Sequence, residues 1–167
     1  DNICEEWGIT REELDEFAVK SQQKAAAAQE AGAFDKEIVP VEVKKRKEVV
    51  VVNKDEGPRP GTTMEALAKL RPINPDGFVT AGNASQTSDG AAAVLVMDRE
   101  EAEAQGLQPM AKFLGFAVGG VPPEVMGIGP IVAIPKALEI AGLTQDQIDI
   151  WEINEAFASQ SIQVVRH

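Results

Sequence analysis

Cysteine and histidine are almost missing from this sequence of 167 residues. The single cysteine is Cys4 and the single histidine is His167. One cysteine excludes an internal disulfide, and one histidine argues against a cluster of metal ligands, so no metal site is predicted. A catalytic arrangement that pairs histidine with serine or cysteine cannot be assembled here. Cys4 is itself a poor nucleophile candidate, because Glu5 and Glu6 beside it raise the pKa of a thiol.

Long hydrophobic runs and excess positive charge are missing as well. No apolar stretch is long enough to cross a bilayer, and the first residues do not form a secretory signal. The net charge is −11, which argues against a nucleic-acid partner because phosphate binding needs a basic surface. With 44% hydrophobic residues, the chain can form a core. We therefore expect a cytosolic type of protein.

The two ends of the sequence indicate a piece of a longer protein. The chain begins at Asp1 rather than at methionine, and His167 follows directly on an amphipathic helix predicted over residues 156–166. We therefore expect an internal fragment.

The first half predicts a long helix followed by a two-stranded ribbon. Thr10 and Glu13 form a capping box at the start of the helix, and Gly32 can end it. Residues 38–43 and 48–52 are rich in β-branched side chains and predict strands that the basic run 44–47 joins. A short helix is predicted over residues 64–70.

Strands and helices alternate in the second half. Apolar runs predict strands over residues 91–97, 111–118 and 149–153. Helices are predicted over residues 99–105 and 131–141. This alternation is typical of the α/β class, whereas the first half is α+β in character. The change falls near residues 85–90.

Asn154 and Glu155 follow the last predicted strand directly. Residues fixed at the end of a strand suit chemistry on a bound ligand. The alternative is a helix N-cap, with Asn154 as the cap and Glu155 in the first turn, which needs no ligand.

Two loops also allow two interpretations each. Residues 80–85 lack bulky side chains, so a ligand could lie on their backbone, or they form a tight turn between strand and helix. Arg59 stands between Pro58 and Pro60 and is either positioned for a phosphate or carboxylate, or an ordinary solvated arginine. The run Gly127-Ile128-Gly129 lacks the third glycine of a dinucleotide fingerprint, so it is not predicted to bind a dinucleotide.

These segments together resemble the thiolase family. The motifs occur in order as TAGNAS followed after two residues by SDGAA, then MGIGP, then NEAFA. The first half agrees in TREELDEFAVKSQQKAAAAQEAGAF, EIVPVEV and PRPGTTMEALAKLRP. The resemblance covers nearly the whole chain, and it is greatest to bacterial 3-ketoacyl-CoA thiolases and acetyl-CoA acyltransferases.

The resemblance implies an incomplete thiolase-like fold of the α/β class. Residues 1–86 would be mostly the α+β loop domain of a thiolase. Residues 87–107 would end its N-terminal half with the last strand of that half, and residues 108–167 would begin the C-terminal half.

The resemblance also implies roles around the reacting thioester. Asn154 would hold a water that forms an oxyanion hole with a histidine. Phe157 and Met126 would wall the acyl and pantetheine pocket, and Glu155 would support this segment. The nucleophilic cysteine, the histidine that activates it and a second cysteine would all lie outside this chain.

A second group of residues would bind coenzyme A, which is a substrate and not a covalently held cofactor. Ala81, Gly82 and Ser85 would lie along the pantetheine, with Ser85 hydrogen-bonded to its amide. Arg59 would contact the nucleotide end.

The implied function is acyl transfer between coenzyme A thioesters through an acyl-cysteine, as in cleavage of 3-ketoacyl-CoA during fatty acid β-oxidation. The alternatives are a biosynthetic acetoacetyl-CoA thiolase, a non-catalytic acyl-CoA or lipid-binding module, and a structural domain. The resemblance further implies a homodimer or homotetramer in the bacterial cytoplasm, with a peroxisome or mitochondrion as other locations.

Overall fold

The structure is a computed structural model that describes residues 1–46 and 48–167. The described residues form two compact units. The first comprises Asp1–Gln86 and Asn154–Arg166, and the second comprises Thr87–Ile153 with His167. The first unit contains α1 (Asn2–Trp7), α2 (Arg11–Glu30), β1 (Val41–Lys45), β2 (Glu48–Val52), α3 (Met64–Leu67) and α6 (Ala158–Arg166). The second contains α4 (Arg99–Ala104) and α5 (Gly129–Ala141).

Helix α2 begins at the predicted capping box. The Thr10 hydroxyl accepts a hydrogen bond from the Glu13 backbone N–H at 3.3 Å, and the Glu13 carboxylate accepts one from the Thr10 N–H at 2.7 Å. These bonds satisfy two backbone donors that the helix leaves unpaired. The predicted helix is confirmed, and it ends at Glu30 shortly before Gly32, whose φ is 68°.

The predicted ribbon is an antiparallel hairpin. β1 pairs with β2 from Val41 opposite Val52 to Lys45 opposite Glu48. The prediction for β2 is confirmed, but the first strand runs over Val41–Lys45 and not over residues 38–43. Lys44 and Lys45, predicted as part of the connection, belong to this strand, because each faces a residue of β2. Lys47 lies outside the described residues.

The core of the first unit lies where α6 packs against α1 and α2. Small side chains on α6, among them Ala158 and Ser159, are buried and allow the helices to approach closely. Leu14 of α2 and Ile9 before it are almost completely buried, and each contributes about 1.5–3 kcal/mol of hydrophobic stabilisation. This packing fixes α2 and the start of α6 next to each other.

In the second unit, the short helix α4 begins at a capping residue. Asp98 caps α4 through its carboxylate, which accepts a hydrogen bond from the Glu100 N–H at 2.8 Å. α4 ends at Ala104, one residue before the predicted end. A 3₁₀-helical turn, Pro123–Ile128, leads into α5, which begins at Gly129, two residues before the predicted start. Two other helix boundaries differ from the predicted ones: α3 ends at Leu67 rather than at residue 70, and α6 begins at Ala158 rather than at residue 156.

The three strands predicted over residues 91–97, 111–118 and 149–153 are wrong at the level of secondary structure. In the part of the chain that the structure describes, these segments pair with no neighbouring strand. A strand needs the N–H and C=O groups of a neighbour, and an apolar run cannot supply them by itself. The side chains consequently remain uncovered: Val94 is 88% and Leu95 is 80% exposed.

No helix within residues 1–46 and 48–167 has the length and apolar character needed to cross a membrane. The same residues contain no group of three or more metal-ligating side chains that could hold an ion.

Candidate functional site

A cleft of about 730 Å³ opens in the first unit. Its walls come from α2, the loop around Arg59, the end of α3, residues 81–86 and the segment before α6. Four residues predicted to bind a ligand line it together: Arg59, Ala81, Gly82 and Ser85. Glu155 lines it as well.

Helix α2 contributes a wall of small side chains. Ala18, Ser21 and Ala25 recur at intervals of three and four residues, which places them on one helix face. Phe17 and Gln22 flank this face. Small residues here keep the cleft open, whereas leucine at the same positions would fill it.

The loop that carries Arg59 is held by its backbone. The Arg59 N–H donates to the Gln22 side-chain oxygen at 2.7 Å, and the Arg59 C=O accepts from the Thr62 hydroxyl at 2.7 Å. Gly57 approaches the Gln86 side chain so closely that a Cβ would lie 2.6 Å from its Nε2 atom. The guanidinium of Arg59 is therefore attached to a fixed backbone while the residue itself is exposed.

Asn83 organises the small-residue loop 80–85 from within. Its side-chain oxygen accepts from the Thr80 N–H at 2.8 Å, and its amide nitrogen donates to the Phe78 C=O at 3.2 Å. Asn83 is only 4% exposed and Thr80 is fully buried. The alternative of a tight turn is confirmed, because the Asn83 N–H donates to the Thr80 C=O at 3.3 Å. The strand and helix expected on either side of the turn are wrong, since the described residues around it form neither element.

An ion pair that the sequence analysis missed supports this loop. Asp15, 2% exposed, accepts from the Asn83 amide at 3.0 Å and from the Arg11 Nε at 2.8 Å. The Arg11 guanidinium also donates to the backbone carbonyls of Leu67 at 2.7 Å and Leu70 at 3.2 Å. One local signal was available, since Arg11 and Asp15 have the four-residue spacing of a helical ion pair and flank the apolar Leu14.

The segment before α6 is joined to the same loop. The Ser85 N–H donates to the Ala156 C=O at 2.9 Å, the Ala158 N–H donates to the Asn83 C=O at 3.0 Å, and Ala84 forms an antiparallel bridge with Phe157. The NEAFA and TAGNAS motifs, more than 60 residues apart in sequence, are therefore neighbours. This is a relationship that no local pattern predicts.

Within this segment, Glu155 and Asn154 have different surroundings. The Glu155 carboxylate accepts a hydrogen bond from the Ser21 hydroxyl of α2. Asn154 is exposed, and its backbone C=O accepts from the Gln160 side chain at 3.4 Å. The interpretation of Asn154 as an N-cap is wrong, because α6 begins four residues later at Ala158.

Three of the predicted site residues do not line this cleft. Asn154 and Phe157 belong to the first unit, and Phe157 is 37% exposed. Met126 belongs to the second unit, where it lies in the 3₁₀-helical turn and is 67% exposed. The cleft therefore gathers four of the six predicted substrate and coenzyme A contacts, together with Glu155.

Cys4 is buried in the first unit and is 1% exposed. Burial raises the pKa of its thiol, with a smaller contribution in the same direction from Glu5. The chain's amino terminus and a hydrogen bond with Ser159 act in the opposite direction without reversing the shift. The expectation that Cys4 is a poor nucleophile agrees with this, although burial is the main cause rather than the adjacent acids.

Comparison with known proteins assigns both halves of the chain to one family. The family model described as "Thiolase, N-terminal domain" matches residues 1–100, and "Thiolase, C-terminal domain" matches residues 107–167. The chain is 56% identical to the 3-ketoacyl-CoA thiolase of Bacillus subtilis, over 99% of this chain and 45% of the relative. It is 54% identical to the human peroxisomal 3-ketoacyl-CoA thiolase, over 99% of this chain and 40% of that relative.

Solved structures agree with the sequence relatives. The acetyl-CoA acetyltransferase of Bacillus anthracis superimposes with a TM-score of 0.96 and 48% identity, over 99% of this chain and 42% of that one. Human mitochondrial 3-ketoacyl-CoA thiolase superimposes with a TM-score of 0.93 and 44% identity, with the same coverage. The chain thus spans less than half the length of the relatives it matches, and the predicted incomplete thiolase-like fold is confirmed. By both sequence and structure, this chain belongs to the thiolase family.

Proposed function

We propose that this chain supplies the coenzyme A-binding cleft of an acyltransferase that moves acyl groups between coenzyme A thioesters, in the direction that cleaves 3-ketoacyl-CoA. The observation that carries the proposal is the cleft in which Arg59, Ala81, Gly82 and Ser85 meet. Relatives named as 3-ketoacyl-CoA thiolases, at 54–56% identity, support the reaction class.

The chemistry of the cleft suits the two ends of coenzyme A. A guanidinium on a fixed loop matches phosphate, because its planar donors bind phosphate oxygens in pairs. The backbone of residues 81–85, with its small side chains, suits the narrow pantetheine chain, whose amide Ser85 would bind. The net charge of −11 does not prevent this, since a local cation governs a local contact.

The segment before α6 would act at the thioester. Asn154 would hold the water that stabilises the oxyanion, a contribution that grows as negative charge develops in the transition state. Phe157 and Met126 would wall the acyl and pantetheine pocket. Glu155, through its bond with Ser21, would fix this segment against α2.

The covalent step needs a thiolate that this chain does not offer. Cys4 is buried and its thiol pKa is raised, whereas a nucleophilic cysteine is accessible and readily ionised. We infer that the nucleophile, its activating histidine and the second cysteine belong to residues outside this segment, and that the segment by itself does not turn over.

Three further parts of the proposal follow from the family. Residues 1–86 would be mostly the loop domain, 87–107 the end of the N-terminal domain and 108–167 the start of the C-terminal domain. The whole protein would be a homodimer or homotetramer. It would act in the bacterial cytoplasm, with the peroxisome or mitochondrion as the other locations.

Calorimetric titration of the chain with coenzyme A tests the binding proposal. We expect saturable binding that weakens when the ligand is shortened to pantetheine, because the contact with Arg59 is lost. Absence of binding to both ligands would overturn the proposal. For a full-length protein that carries this chain, faster cleavage of long 3-ketoacyl-CoA than of acetoacetyl-CoA would support the degradative direction, and the reverse preference would favour the biosynthetic one.

A further inference from the structure

The ion pair between Arg11 and the buried Asp15 connects three walls of the cleft. Asp15 bonds the 80–85 loop through the Asn83 amide, and Arg11 bonds the end of α3 through the Leu67 carbonyl and the turn after α3 through the Leu70 carbonyl. Both residues belong to α2, whose next turns form the third wall. Two further ion pairs of α2, Glu16 with Lys20 and Glu13 with Arg166, involve no residue of the loop.

The hydrogen-bonding capacity of Asp15 is divided between two partners. One carboxylate oxygen faces Arg11 and the other faces Asn83. A carboxyl group that is 2% exposed needs hydrogen-bond partners for its oxygens, because an unpaired buried polar atom is costly. The position of the Asn83 amide is consequently tied to that of the Arg11 guanidinium.

The hydrogen bonds of Asn83 hold the residues that line the cleft in place. Its side chain holds the Thr80 N–H, and its carbonyl holds the N–H of Ala158, the first residue of α6. Gly82 and Ala84, which adjoin Asn83 on either side, both line the cleft. A displaced Asn83 side chain would therefore move the backbone on which a ligand lies.

We propose that Asp15 and Arg11 are positioning residues that hold the 80–85 loop in the shape that accepts the pantetheine of coenzyme A. The inference rests on the proposed function, because pantetheine binding by this loop is part of that proposal. Neither residue touches the ligand in this scheme. They act through Asn83, Leu67 and Leu70.

The decisive variant is Asp15→Asn, which keeps the shape of the side chain but removes its charge. Its matched control is Glu16→Gln, because Glu16 pairs with Lys20 at 2.7 Å on the solvated face of the same helix. Both variants neutralise one acid of an i,i+4 pair in α2. Only Asp15→Asn disturbs the loop.

The readout is affinity for two ligands, coenzyme A and pantetheine, measured by titration at a temperature where circular dichroism shows each variant folded. We expect Asp15→Asn to lower the affinity for both ligands by about tenfold, which is the effect of losing one hydrogen bond to a charged group. Glu16→Gln should match the unchanged chain. Arg59→Ala should lower the affinity for coenzyme A and leave the affinity for pantetheine unchanged, since Arg59 would contact the nucleotide end of coenzyme A.

Rescue separates positioning from a purely structural role. In the double variant Asp15→Asn with Asn83→Asp, the amide and carboxylate exchange places, so the contact between the two positions can re-form, while the bond that the Asn83 amide donates to the Phe78 C=O is lost. We expect this variant to recover part of the pantetheine affinity that Asp15→Asn loses. A residue that only stabilises the fold would lower the melting temperature without changing the affinity of folded protein.

If Asp15→Asn does not fold, Arg11→Lys takes its place. Lysine keeps the charge beside Asp15 but lacks the planar guanidinium that reaches the two carbonyls. We therefore expect Arg11→Lys to lower the affinity for both ligands as much as Asp15→Asn does. Folded Asp15→Asn, or folded Arg11→Lys in its place, with unchanged affinities would overturn the inference and leave the proposed function standing. An unchanged chain that binds neither ligand would overturn both.

Discussion

Gly82 lies directly against Leu67 at the floor of the cleft. A methyl group at Gly82 would be 2.5 Å from Cδ2 of Leu67 and 2.7 Å from Cδ1 of Leu70. Real side chains do not approach so closely, and Leu67, which is 5% exposed, has little room to withdraw. Packing against Leu67 therefore favours glycine at this position, independently of any ligand.

We expect Gly82→Ala to lower the free energy of unfolding by about 1–3 kcal/mol, the range for overpacking a core. Gly61→Ala is the matched control, because a Cβ there meets no atom within 4 Å, and it should be neutral or stabilise by about 0.5 kcal/mol. Urea denaturation of both variants measures the difference. Combining Gly82→Ala with Leu70→Ala should cost less than the two changes added together, because one overlap is relieved. Equal stability of the two glycine variants would contradict this packing.

Arg59 offers a test of charge without a change of backbone. Its N–H, not its guanidinium, bonds Gln22, so Arg59→Ala leaves the loop attached to α2. We expect coenzyme A binding to weaken by about 1–2 kcal/mol, the scale of a charged hydrogen bond. Calorimetry at two salt concentrations should also show a weaker salt dependence in the variant, since an exposed charge is screened by ions. Arg99→Ala removes the same charge from α4 and serves as the control. Unchanged affinity in Arg59→Ala would remove Arg59 from the site.

The stability that the contact between α2 and α6 contributes should depend on pH. The Thr10 N–H and the Arg166 guanidinium donate to the Glu13 carboxylate, and they lower the pKa of that carboxyl below its ordinary value of 4.5. A carboxyl whose folded pKa is lowered stabilises the fold above its unfolded pKa, and this stabilisation is lost as the pH falls through the folded value. The unfolding free energy should therefore decrease as the pH falls below 4.5.

Glu13→Gln should flatten this pH dependence, because glutamine does not titrate. Glu12→Gln removes a charge one residue away and should retain the steeper dependence. Thermal denaturation from about pH 6 to about pH 3 provides the comparison. The same slope in both variants would show that the contacts of Glu13 do not persist in solution.

Features encoded by neighbouring residues were predictable. The start of α2 follows from Thr10 and Glu13 alone, since a capping box is complete within four residues. The hairpin follows from its β-branched residues, although the end of its first strand does not, because Lys44 and Lys45 pair with β2 despite their charge. The grouping of Arg59 with residues 81–85 came from family resemblance rather than from any local pattern.

Features that depend on distant partners were not predictable. The carboxylate of Asp15 meets the amide of Asn83 across 68 residues of sequence, and nothing near either residue specifies the other. The strand predicted over residues 91–97 fails for a related reason. Its apolar side chains indicate a buried strand, but burial and pairing require neighbouring strands that the described residues do not provide.

The uncovered run around Leu95 leads to a final prediction. Val94, Leu95 and Val96 are each at least 80% exposed, and contiguous exposed apolar surface binds hydrophobic dyes and promotes association. We expect the chain to enhance the fluorescence of an anilinonaphthalene sulfonate dye and to self-associate in sedimentation velocity runs. Leu95→Lys should reduce both effects while changing the unfolding free energy by less than about 0.5 kcal/mol, since a surface substitution removes no buried contact. Leu14→Lys is the contrasting variant, because Leu14 is fully buried, and it should abolish folding. A large loss of stability in Leu95→Lys would mean that the run is covered in solution, and its apolar sequence would then be explained by packing within the chain.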